Sequence, residues 1–375
     1  MKITIAIGPY FPIPPVLGGA VERVQLGLAE EFAARGHQVT MISRAYADLP
    51  REETRAGVHH LRVASIDAPA SALKFRLYDI VYSRRVAQVL PPSDITVTNS
   101  VFLPLFLPKR LTGCLYIHAA RYPKYQMWLY PHANRVQTLS SAVATAIRRQ
   151  TPILANRISV IPNPLVGPLA ALAPPGLLVQ RPRTILYVGR LAEEKGVHVL
   201  IEAFTRLAQG PLAGYRLRIV GPHEVQQGGS GTAYRRRLEK LAAAGGVTFS
   251  GPIFDTQELR KAFESADIFV YPSLADKGEA FGLAPLEAMA AGCRVIVSGL
   301  ECFREYVEEG KNSTVFDHRH DAVASLANAL ASMAAAPDPL PMRRAAVATA
   351  GRFQIGPIAT RYLDDFAQLL NRPAA

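Results

Sequence analysis

Thr184-Ile185-Leu186-Tyr187-Val188, then Gly189-Arg190-Leu191-Ala192-Glu193-Glu194-Lys195-Gly196, then Val197–Leu207 read as strand, loop and helix in direct succession. A loop in that position lies on the carboxyl edge of a sheet. Arg190 and Lys195 place two cations there, with a glycine at either end. Two fixed cations suit a diphosphate, the guanidinium as a fork and the ammonium as a point charge. Spacing alone supports equally a solvated loop neutralised by Glu193 and Glu194.

Outward from this unit the same alternation recurs. Short apolar runs occur at Ile3–Ile7, Val39–Ser43, His59–Val63, Ile95–Thr98, Cys114–His118 and Ile158–Ile161. After Thr184–Val188 come Arg216–Val220, Val247–Phe249, Ile268–Tyr271, Val295–Val297 and Thr314–Phe316. Amphipathic segments such as Val21–Ala34, Val197–Leu207, Arg235–Ala244 and Glu258–Ala266 separate them. Strand–helix alternation predicts α/β architecture with parallel, doubly wound, Rossmann-like sheets. The chain length suits two such domains. Residues 166–182, with prolines and glycines in an Ala/Leu stretch, read as a linker between a domain over 1–165 and one over 183–352. Ligands of doubly wound sheets sit at strand carboxyl ends, so a cleft between two facing sheets is the expected site.

A second stretch, Glu279-Ala280-Phe281-Gly282-Leu283-Ala284-Pro285-Leu286-Glu287-Ala288-Met289-Ala290-Ala291-Gly292, follows Tyr271-Pro272-Ser273. Pro285 suits the first helical position and Gly292 the residue past the end. Glu279 then lies in the loop, and Glu287 in the first turns of a helix whose positive end faces whatever the loop holds. Both carboxylates can accept hydroxyl hydrogen bonds from a sugar or a ribose. Taken alone, the motif favours the blander reading, with Glu287 a complement to the helix dipole and Glu279 a solvated acid. The first strand ends in Gly8-Pro9 and leads to Gly18-Gly19 before a helix near Val21. That arrangement allows close backbone approach of an anion, but it lacks the G-x-G-x-x-G of dinucleotide folds.

Together these segments resemble the retaining glycosyltransferase family 4, of the GT-B fold. The resemblance rests on Gly18-Gly19-Ala20-Val21-Glu22-Arg23, Arg35-Gly36-His37-Gln38-Val39-Thr40, Val188–Gly196 and the Glu-x7-Glu pair Glu279 and Glu287. It covers almost the whole chain and is most specific from Tyr187 to Ser298. It implies that Arg190 and Lys195 hold the donor pyrophosphate, Glu279 the donor sugar and Glu287 the nucleotide ribose. Backbone amides around Phe281, Gly282 and Leu283 would touch sugar or phosphate, and Gly18 or Gly19 would lie beside the phosphate. His118, at a first-domain strand end, would face the reacting centre; a lone histidine is otherwise more often structural. The resemblance further implies a metal-independent hexosyl transfer with retention and no cofactor, the nucleotide sugar (UDP- or GDP-linked) being a co-substrate. It implies a last helix, within 353–375, that returns to the first domain. Two departures stand out: Ile161-Pro162-Asn163-Pro164-Leu165 replaces the usual Pro-Asn-Gly-Val-Asp, and Ala280 stands where glycine is common.

The net charge of +12 is uneven. Residues 1–165 carry 19 Lys+Arg against 9 Asp+Glu, and the remainder 23 against 21. A basic first domain suits a polyanionic or lipid-linked acceptor, such as a glycolipid or polysaccharide precursor, and contact with an anionic membrane; solubility charge explains it as well. Ala70–Leu90, with Leu73, Phe75, Leu77 and Val81 beside Lys74, Arg76, Arg84 and Arg85, reads either as a membrane-surface helix or as a sheet-covering one. No nucleic-acid motif is present. Three cysteines without pairing pattern, and no signal-like or spanning segment, predict a cytoplasmic protein, peripheral at the inner membrane face if membrane-bound. Two alternatives remain: a GT-B 2-epimerase acting on nucleotide sugars, and a non-catalytic sugar-nucleotide-binding protein.

Overall fold

The computed structural model describes residues 1–66 and 72–371, and side chains outside 67–75 and 372–375. The chain forms two units. One is Met1–Val166 with the segment from Ile355 on; the other is Gly167–Gln354.

The first unit holds β1 (Lys2–Ala6), β2 (Gln38–Arg44), β3 (Glu52–Arg55), β4 (Val58–Val63), β5 (Ile95–Thr98), β6 (Cys114–Ala119), β7 (Arg135–Thr138) and β8 (Ile158–Val160). Their order is β3-β4-β2-β1-β5-β6-β7-β8. All neighbours are parallel except β3 with β4. Two of these strands have no apolar run. The edge strand β3 is charged and largely exposed, which discourages pairing with other chains. It turns into β4 through Ala56 and Gly57, both at positive φ, as a two-residue hairpin requires. Strand β7 (Arg-Val-Gln-Thr) is fully buried although three of its four residues are polar, because each of the three finds a partner. Arg135 bonds Asp365 at 2.5 Å, and Gln137 bonds His118.

Asp365 belongs to the helix Ile355–Leu370. Its carboxylate also accepts from Tyr116 (2.9 Å) and Ser159 (3.0 Å). Phe366 meets the Tyr116 ring edge-on at 4.9 Å and Phe32 at 5.9 Å. This helix is therefore part of the first unit's core. Phe353, just before it, stays in the second unit, against Phe281 and Tyr306.

The second unit is a parallel sheet of β9 (Thr184–Val188), β10 (Arg216–Val220), β11 (Val247–Phe249), β12 (Ile268–Tyr271), β13 (Arg294–Ser298) and β14 (Thr314–Phe316), in the order β11-β10-β9-β12-β13-β14. The residues read as a linker form helical turns at Gly167–Ala170 and Pro175–Val179. The Ala173 amide donates to Ala290 at 2.8 Å, and Leu178 is buried. The stretch thus packs on the second unit.

Candidate active site

Three loops at the carboxyl edge of the second sheet are knitted together by main-chain bonds. Leu191 donates to Pro222 and Leu274 to Glu194, both at 2.8 Å. These tie the loop after β9 to those after β10 and β12. Gly196, at φ +66, precedes the helix Val197–Leu207; a Cβ there would lie 2.1 Å from the Pro272 carbonyl oxygen. Only glycine allows that approach.

Lys195 is buried, and its Nζ lies 2.6 Å from Oε2 of Glu279, with both side chains at most 10% exposed. The two candidate residues, 84 positions apart, form one ion pair. Arg190 differs. It bonds Glu194 at 2.9 Å with both side chains more than 40% exposed, and donates to the Gly228 carbonyl. An exposed pair of this kind contributes only about 0–1 kcal/mol, so Glu194 holds Arg190 weakly, whereas Lys195 is held by a buried partner.

The helix that begins after Glu279 is Leu283–Ala290. Pro285 occupies its third position, not the expected first; first-turn amides have no intrahelical partner, so proline costs no bond there. Gly292 donates to Met289 and Cys293 to Ala288, the paired bonds that end a helix at a left-handed glycine. At the other end Gly282 (φ +73) lies against Phe303, where a Cβ would come within 2.4 Å of the ring. Tyr306 donates to the Gly282 carbonyl at 2.6 Å and to that of Phe281 at 3.2 Å. Phe281 itself is buried against Tyr306. The amide-bearing turn Phe281-Gly282-Leu283 is therefore held rigidly. Glu287, inside the helix, is buried.

Arg190, Lys195, Glu279 and the Phe281–Leu283 turn thus share one sheet edge, with Glu287 on the helix that follows. Two residues without a role in the sequence reading also belong there: Tyr271, whose ring lies under the Lys195 ammonium, and Gly228, the partner of Arg190. Tyr271 was visible as a strand end. Gly228 lies in a glycine-rich loop with no distinguishing pattern.

In the first unit, Gly18 and Gly19 have φ +80 and +104, and Gly19 caps the helix Ala20–Ala34. The Glu22 carboxylate folds back over Gly19, so a Cβ there would sit 2.3 Å from it. Burial pushes the Glu22 carboxyl up to about 7, partly opposed by its own backbone amide and by Arg121. Arg121 lies over the Tyr10 ring at 5.2 Å, which joins the loop after β6 to the first loop. His118 is buried near the end of β6; burial pulls its imidazole down to about 4, and it stands neutral at pH 7. Its Nε2 is buried with no partner. Among the described residues, no group of three or more His, Cys, Asp or Glu is placed to hold a metal ion, and no helix is long and apolar enough to cross a membrane.

The family model described as Glycosyltransferase Family 4 matches residues 17–165, and that described as Glycosyl transferases group 1 matches residues 173–350. The phosphatidyl-myo-inositol mannosyltransferase of Mycobacterium tuberculosis is 28% identical over 322 residues, covering 81% of this chain and 80% of its own. Among solved structures, sucrose-phosphate synthase from Thermosynechococcus elongatus matches with a TM-score of 0.75 at 21% identity, over 98% of each chain. Anabaena Alr3699/HepE in complex with UDP-glucose matches with a TM-score of 0.74 at 18% identity, over 98% of this chain and 100% of that one. The two structures agree in fold with two parallel-sheet α/β units, and the two family models divide between those units. The chain belongs to the family 4-type glycosyltransferases of the GT-B fold.

Proposed function

We propose that this glycosyltransferase moves a hexosyl group from a nucleoside-diphosphate sugar to a sugar or lipid-linked acceptor, with retention and without a bound metal. The observation that carries the donor reading is the buried Lys195–Glu279 pair beside the exposed Arg190 fork. As the bond from the anomeric carbon to the diphosphate oxygen breaks, negative charge grows on the leaving phosphate. Arg190, Lys195 and the amides of Phe281, Gly282 and Leu283 stabilise that charge where it develops. Glu279 accepts donor-sugar hydroxyls, and Glu287 accepts those of the ribose. Neutral His118 offers Nε2 as an acceptor to the transferring sugar, and Gly18-Gly19 leave room for phosphate. In a retaining front-face step the leaving oxygen takes the acceptor's proton, so no carboxylate nucleophile is needed.

The acceptor belongs, in this reading, to the first unit. No Asp or Glu occurs between Asp94 and Glu193, which favours an anionic acceptor. The relative from Mycobacterium tuberculosis, whose name specifies a phosphatidyl-myo-inositol substrate, supports a lipid-linked one. Leu77 and Val81, on the helix Ala72–Val89, and Leu105 are exposed close to the basic residues Arg84 and Arg85; the side chains of Leu73, Lys74 and Phe75 lie outside the described residues. This favours peripheral contact with anionic lipid, and co-sedimentation with phosphatidylglycerol vesicles at low salt checks it.

The test of the donor reading is release of nucleoside diphosphate from a panel of UDP-, GDP- and ADP-sugars. One donor is expected to be hydrolysed slowly, insensitive to EDTA. Lys195→Ala and Glu279→Ala are expected to lose at least about a hundredfold. Near-normal turnover in either variant would remove the proposal. NMR of the product's anomeric centre decides retention.

A further inference from the structure

Tyr271 ends β12 next to the Lys195–Glu279 pair and is buried. The Lys195 ammonium lies 5.3 Å from its ring centroid, within the range at which a ring face attracts a cation. Its hydroxyl faces the Glu279 carboxylate; burial first, then that carboxylate, push the phenol well above its ordinary value, so it keeps its proton and stays a donor. The ring is held in place by Tyr187, stacked at 6.1 Å, and by Phe303, edge-on at 6.0 Å. Any large apolar residue would fill this space. Only tyrosine presents a π face to the cation and a hydroxyl to the anion at once.

We propose that Tyr271 is a positioning residue for sugar transfer, its ring holding Lys195 and its hydroxyl holding Glu279 in one geometry before the donor arrives. The inference rests on the donor-site reading above. It separates two functions: the ring serves the phosphate-binding cation, and the hydroxyl serves the sugar-binding carboxylate.

The experiment compares wild type, Tyr271→Phe and Tyr271→Leu. Binding of UDP, GDP and ADP is measured by calorimetry, and turnover is measured with whichever nucleotide sugar the wild type hydrolyses. Tyr271→Phe keeps the ring, so diphosphate affinity is expected to stay within about twofold while kcat falls tenfold to a hundredfold, roughly the effect of one hydrogen bond to a charged group. Tyr271→Leu is expected to show the same kcat loss and, in addition, about tenfold weaker diphosphate binding. A tyrosine that only fills the core would give no such division. Wild-type kcat and KM in Tyr271→Phe, or equal loss of diphosphate affinity in both variants, overturns the inference. If the wild type binds none of the three diphosphates, the donor-site reading itself falls, an outcome distinct from failure of Tyr271 alone.

Discussion

Gln137 determines which nitrogen of His118 carries the proton. The two residues are register partners on β6 and β7. The Gln137 amide nitrogen donates to the carbonyls of Thr138 (2.8 Å) and Ile161 (2.5 Å). Its oxygen must therefore accept, and it does so from His118 Nδ1 at 2.5 Å. Nε2 is left as the lone-pair acceptor.

This relationship gives a pH prediction. His118 is pulled below its unfolded value to about 4, so its stability contribution is complete above the unfolded value near 6.5. That contribution is lost as pH falls through 4, amounting to about 3 kcal/mol at most. Urea unfolding of wild type and His118→Phe across this range is expected to show the His118 increment only in the wild type, on top of the Glu22 dependence that both proteins share. Gln137→Leu, which orphans the buried Nδ1–H, is expected to cost about 1–3 kcal/mol at pH 7.

Lys195 and Glu279 compensate each other in a buried setting. Removing either charge leaves the other unpaired, so Lys195→Met and Glu279→Gln are each expected to cost about 3 kcal/mol. The double variant is expected to be less destabilised than the sum of the two. Chemical unfolding of all four proteins gives the coupling, and simple additivity would show that the pair is not coupled.

Gly228 (φ +81) lies so close to Arg190 that an added Cβ would be 2.9 Å from Nη1. Gly228→Ala is expected to push the guanidinium aside, raising KM for the donor about tenfold, with a stability cost near 1 kcal/mol from the left-handed backbone. Steady-state kinetics and a melting curve separate the two effects.

Glu22 shows the opposite sign to His118. Its carboxyl is raised to about 7 in the folded state. Its contribution is present below the unfolded value near 4.5 and lost as pH rises through 7, up to about 3 kcal/mol. Glu22→Gln is expected to flatten this dependence and to be more stable than the wild type at pH 8, measured by thermal melting.

The parallel architecture was legible because buried strands such as Ile268–Tyr271 and Val295–Val297 are continuous apolar runs. Strands β3 and β7 were not, since one is a charged edge and the other buries Arg135 and Gln137 against partners distant in sequence. Lys195 and Glu279 were readable as separate candidates from their loops. That they pair with each other was not, because an ion pair across 84 residues depends on how two loops meet on the sheet. The Arg190 contact with Gly228 is hidden for the same reason.

The Asp365 carboxylate holds Arg135, Tyr116 and Ser159, and it arrives with the last helix. During synthesis the contiguous stretch 167–354 has every residue it needs before that helix leaves the ribosome. The portion translated first is thus the last to complete its interior, and until then Arg135 and the Tyr116 ring wait without their counterparts.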